Sequence, residues 1–181
     1  MNYSGFGALL PIDHQIDIDD LEKRYEVKLP SLYKLFIRSY KTGEGSLRKE
    51  KFYAEEMDYY FPLLEFYIGE GLTLTVVDEF VDLHDALSPM KRQLADPDGY
   101  NAHLMHVAYT TDPGGGGIFI SLRESDFGKI YKVIWDYPNY EPHKVADDIF
   151  EFITNLKSQV VYDVDPVNLY RNWNEDFWRS R

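Results

Sequence analysis

The segment DIDDLEKRYEVKLPSLYKLFIRSYKTGEG, residues 17–45, governs how the rest of the chain is read. Asp17 stands as a helix N-cap, and Asp20 three residues later sits where a carboxylate meets free N–H groups and the positive end of the helix dipole. Ile18, Leu21 and Tyr25 then recur at helical spacing, with Glu22, Lys23, Arg24 and Glu26 turned outward. Pro30 ends this helix and opens the next, since it lacks an N–H and its φ is already helical. In the second helix Leu32, Leu35, Phe36 and Tyr40 form the expected apolar stripe, and Lys34, Arg38 and Lys41 the far face. Gly43 and Gly45 supply the stop.

Working outward, residues 1–16 read as an irregular arm anchored by Phe6, Leu9, Leu10 and Ile12. Residues 47–68 crowd Tyr and Phe together, with the best strand at 63–68 and Pro62 at a strand start or edge. Residues 75–88 return to a helical period through Val76, Phe80, Leu83 and Leu87, capped by Thr75 and closed by Ser88-Pro89. On that expected helix Asp78, Asp82 and Asp85 track along another face. Residues 104–110, 118–122 and 129–135 are short β-branched and aromatic runs. Their connections are too short for parallel crossovers, so they imply an antiparallel meander. A last helix is expected over 145–159, burying Ala146, Ile149, Phe150, Ile153 and Leu156, with Asp147, Asp148 and Glu151 in the first turns and Lys157 in the last. The order helix–helix, strands, helix, meander, helix is that of an α+β fold. The expected organisation is one domain over 1–160 and an appendage over 161–181.

The 181 residues suit one domain with a full core. With 15 Tyr among them, some phenols must reach the surface, as half-buried strand positions or as partner contacts. Asp plus Glu number 31 against 19 Lys plus Arg, a formal charge of −12. Such a surface repels nucleic acid and anionic membrane and attracts a basic protein. The absence of Cys removes disulfides, thiolate catalysis and Cys-ligated metals. No basic-then-apolar leader opens the chain and no apolar run reaches membrane-span length, so a soluble, cytoplasmic protein is expected.

Several ordered pieces resemble the SUKH superfamily, the group of fungal regulators of glucan synthesis and many bacterial immunity proteins. They are the acidic first helix ending in Leu29-Pro30 and the Leu32-Tyr33-Lys34-Leu35-Phe36 helix before a glycine-bearing turn. Further along, Gly114–Gly117 leads into Ile118-Phe119-Ile120-Ser121-Leu122, a strand ends in Val133-Ile134-Trp135-Asp136, and Ala146-Asp147-Asp148-Ile149-Phe150-Glu151-Phe152-Ile153 follows. Together they cover roughly residues 13–157. The resemblance implies a central, mostly antiparallel sheet with flanking helices. It also implies a non-enzymatic role, usually docking on a cognate toxin that is often a nuclease.

Motifs for other chemistry are weak. Gly114–Gly117 is followed by a strand and by no Lys or hydroxyl, unlike a phosphate loop, and reads as a turn. His103 and His106, with Asp96 and Asp98 nearby, lie at a strand entrance rather than on one helix face. No nucleophile elbow is present, and the abundance of carboxylates removes any signal from paired ones. No catalytic residue, cofactor or metal is expected. The candidate partner-binding residues are Glu70, Asp78, Glu79, Asp82 and Asp85, whose alternative is a solvated helix face. Trp173 and Trp178 either pin the C-terminal segment to the core or contact a partner. The expected function is an immunity protein that blocks a cognate toxin through an acidic, Tyr-rich surface. The alternatives are a regulatory scaffold joining cellular proteins and, more distantly, an enzyme with a cleft beside the glycine turn.

Overall fold

The structure, a computed structural model, describes residues 5–12, 14–47, 51–54, 59–62, 64–69, 75–90, 103–111, 115–134 and 142–160. Asp17 caps α1 (Ile18–Tyr25), its carboxylate accepting the Asp20 N–H at 3.0 Å. The helix stops before Pro30 is reached, because Glu26 takes a left-handed conformation (φ 55°) and donates its N–H to the Glu22 carbonyl. α2 (Ser31–Ser39) starts from Pro30. Ahead of α1, a 3₁₀ turn at Gly5–Ala8 leads into an arm joined to the first core elements by bridges Leu9–Leu47 and Pro11–Tyr40.

β1 (Lys51–Ala54) and β2 (Tyr59–Pro62) form a two-stranded antiparallel ribbon. Pro62 therefore ends an edge strand, where its missing N–H is tolerated. The main sheet begins with β3 (Leu64–Ile68) and β4 (Thr75–Phe80). A short helix, α3 (Leu83–Leu87), leads on to β5 (Leu104–Thr111), β6 (Gly116–Ser121), β7 (Ile130–Ile134) and β8 (His143–Ala146). β3 to β8 are laid down in sequence order, all antiparallel. α4 (Ile149–Asn155) then carries the chain back, so that β9 (Lys157–Val160) pairs with β3 at the opposite edge. Six inter-strand steps of a flat sheet span about 29 Å. The link from β8 to β9, one short helix of about 9 Å and five extended steps, reaches at most about 27 Å even when drawn straight. Its helix must also rise onto the sheet face to pack on Phe80. The sheet must therefore curl around the helices.

Two expected helices are corrected. Residues 75–88 are not one helix but β4 followed by α3. The cause is a β-bulge between Val77 and Glu79, which puts Val77 and Phe80, three apart, on the same buried face. That spacing, continued by buried Leu83 and Leu87, imitates a helical stripe. Residues 145–159 are likewise divided. Val145 and Ala146 belong to β8, Asp148 caps α4 by accepting the Phe150 and Glu151 N–H groups, and Lys157 lies in β9.

The phase of α2 is corrected too. It buries Tyr33, Phe36 and Ile37, and leaves Leu32 and Leu35 44% and 53% exposed. Phe36 instead meets Phe80 of β4 at 4.8 Å between ring centroids, and Phe80 meets Phe152 of α4 edge-on. Val77, Ala108, Ile118, Ile120 and Ile130 complete this core on the helix side of the sheet. On the other side Leu104, Phe119 and Val133, with Tyr131, make a smaller buried cluster.

Candidate partner-binding surface

The acidic candidates do not share one helix face. Asp78 occupies the β4 bulge and accepts a hydrogen bond from the Thr111 hydroxyl. Glu79 is half-buried in the strand, directly opposite Tyr109 of β5. Asp82 caps α3, its carboxylate accepting the His84 N–H at 2.8 Å. Asp85 is exposed in the first turn of α3, with its carboxylate 3.9 Å from His84 Nδ1. Glu70 lies outside the described residues, as do Asp96, Asp98, Trp173 and Trp178.

The fold nevertheless gathers these residues into two neighbouring groups. One is on the sheet face turned away from the helices. Register partners share a face, so Glu79 stands beside Tyr109, and Tyr109 beside Gly117. Tyr109 is 42% exposed and meets the His106 ring edge-on at 4.7 Å, while His106 stacks on Phe119 at 4.8 Å. His106 Nε2 lies 2.9 Å from the Ala108 carbonyl, so the neutral ring donates there. Burial pushes its pKa down to about 4, against the raising effect of that backbone bond. The three rings form a rigid shelf with one phenol edge open to solvent.

The glycines make this shelf possible. A Cβ at Gly117 would strike the His106 ring, and one at Gly116 would strike the Val133 carbonyl oxygen. Gly116 also holds φ at 154°, which L side chains rarely adopt. The part of the glycine run that is described thus serves close packing within β6; residues 112–114 lie outside the described residues.

The second group surrounds the start of α3. The Gly43 N–H donates to the Phe80 carbonyl at 2.8 Å, and a Cβ on Gly43 would touch the Asp82 side chain. This places the 42–45 turn, with exposed Glu44, against Asp82, three residues before exposed Asp85. Tyr33, buried beneath, has its hydroxyl pKa raised first by burial and then by the Asp82 charge. Sequence reasoning missed Glu44 and Tyr109. Glu44 was readable as a charge held between two glycines, whereas Tyr109 depends on the register of β4, β5 and β6.

A model of the SMI1 / KNR4 family (SUKH-1) matches residues 14–155. The chain belongs to this family. The match begins just before α1 and ends with α4, so the family region takes in both helices of the opening segment, the meander and the shelf. Among curated proteins and among solved structures, no match to the chain is found. Among the described residues of this SUKH chain, no helix is long and apolar enough to cross a membrane.

Proposed function

We propose that the protein is a non-enzymatic, cytoplasmic docking module that neutralises a cognate toxin by covering it. SUKH membership supports a toxin-immunity or regulator-like module in general. The observation that carries the finer reading is the Glu79–Tyr109 pair on the open sheet face, a carboxylate beside a rigid, half-exposed phenol. Tyr supplies contact area at little entropic cost, and a carboxylate next to it selects a basic partner. Asp82, Asp85 and Glu44 extend the same sign along the α3 end. If the toxin is a nuclease, these carboxylates stand where its substrate's phosphates would lie, so occlusion and charge complementarity act together.

Co-expression with the toxin domain encoded beside this protein tests the proposal. Growth should be rescued and a stable complex recovered; neither rescue nor complex would sink it. The informative variants are Glu79→Lys and Asp85→Lys, because Asp82 also caps a helix and Asp78 holds Thr111. Together they should weaken binding by about tenfold or more, about 1.4 kcal/mol, with the melting temperature unchanged. The alternative, a regulatory scaffold joining cellular proteins, draws support from the chain's second, oppositely charged exposed face on α2.

A further inference from the structure

We propose that this solvent face of α2, with the groove beside it, is a separate docking surface for an acidic, aliphatic segment of a protein partner. The chain is strongly acidic, yet residues 27–43, VKLPSLYKLFIRSYKTG, hold Lys28, Lys34, Arg38 and Lys41 and no carboxylate. Lys34 is taken by Glu22 of α1, so Arg38, with Lys28 and Lys41, carries the outward charge. The fold adds an apolar ridge to this local reversal of charge. Leu32, Leu35 and Arg38 follow one another at three-residue spacing on one side of α2, and both leucines are exposed. Turning Tyr33, Phe36 and Ile37 into the core leaves that ridge outside.

Arg38 also forms one wall of a groove of about 690 Å³, lined among the described residues by Ile12, His14, Gln15 and Ile16 as well. Backbone bonds tie the arm to the end of α2 beside this groove: Ile12 N–H to the Ser39 carbonyl at 3.1 Å, and Lys41 N–H to the Leu10 carbonyl at 2.9 Å. The arm is therefore fixed against the end of α2 where the groove begins. Arg38 has a carboxylate neighbour in Asp19, but at 4.0 Å and with both side chains more than half exposed. Such a contact is worth little in water and yields readily to a better acceptor. A guanidinium fork accepts a carboxylate in two parallel bonds, and an aliphatic side chain on the same partner would cover Leu35.

Charge decides among occupants. A second copy docking through the same face would set its own Arg38 and Lys41 against these, and nucleic acid would gain no stacking from leucines while meeting a chain of net charge −12. An acidic peptide segment satisfies both the cations and the ridge.

The test is a titration of the full chain, followed by amide chemical shifts, with a short Glu/Leu peptide series. Gln-for-Glu and Lys-for-Glu versions are the controls. The Glu/Leu series should shift amides of α2 and of residues 14–16 and bind more weakly as salt rises. The Gln version, and the variants Arg38→Glu and Leu35→Ser, should each bind about tenfold more weakly or worse. Arg38→Lys should retain part of the binding, and Glu79→Lys with Asp85→Lys should leave it unchanged, which separates this surface from the toxin-facing one. Thermal melts of both α2 variants should match the parent, since neither side chain is in the core. The inference is overturned by shifts confined elsewhere, by equal binding of the Lys version, or by indifference to Arg38→Glu and Leu35→Ser. It is also overturned if sedimentation shows a dimer that Leu35→Ser dissolves, because a second copy then owns the face.

Discussion

At position 22 a carboxylate that helical period turns towards water instead joins two helices. Glu22 accepts the Leu29 N–H at 2.6 Å and the Lys34 ammonium at 2.9 Å, with both side chains mostly shielded. Burial alone would raise its pKa, but the Leu29 and Lys34 contacts outweigh it and hold the carboxyl below its usual range. Partners that far along the chain are invisible to a local pattern, whereas the Asp17 cap, with its partner three residues on, was legible. His106 gives a prediction at the same scale. The unfolded imidazole takes its proton near pH 6.5 and the folded one only near 4, so in between the unfolded state binds more protons. Its contribution is full above pH 6.5, falls as the pH drops, and levels off below 4. Urea titrations should show a loss of roughly 2 kcal/mol between about pH 7 and pH 5, and His106→Phe should flatten that slope. Glu22 and Asp126, also held low, lose their contributions only at more acid pH and do not confuse the window. A parent stability that stays flat from pH 7 to 5 would contradict the buried, neutral ring.

Among elements, the antiparallel meander was readable because its runs are short, β-branched and closely connected. The phase of α2 was not. Leu32, Tyr33, Leu35, Phe36, Ile37 and Tyr40 surround most of that helix with apolar groups, so more than one stripe fits the period. The choice is made by the tilted ring contact of Phe36 with Phe80, a tertiary contact with a strand that itself looked helical. Two substitutions check the phase. Phe36→Ala should cost about 3–5 kcal/mol, while Leu35→Ser should stay within about 0.5 kcal/mol of the parent in denaturant melts. The reverse order would restore the stripe suggested by sequence and remove the exposed ridge.

For the whole molecule, two exposed surfaces carry opposite sign. The acidic shelf and α3 end face one way in charge, and α2 the other, within a chain whose net charge gives no hint of the second. Family membership was legible from the order of pieces such as Leu29-Pro30 and the strand after the glycine run, since order survives errors in individual helices. The location of the acidic surface was legible only in part. Its residues were named, but the helix meant to align them is a strand, a bulge and a cap. Docking of a basic toxin on the acidic face can be measured by calorimetric titration of the purified chain with a toxin domain from a neighbouring gene, at low and high salt. A one-to-one complex at about nanomolar strength is expected, weakening as salt rises and weakened again by Glu79→Lys with Asp85→Lys. No binding, or binding indifferent to both salt and those two reversals, would contradict it.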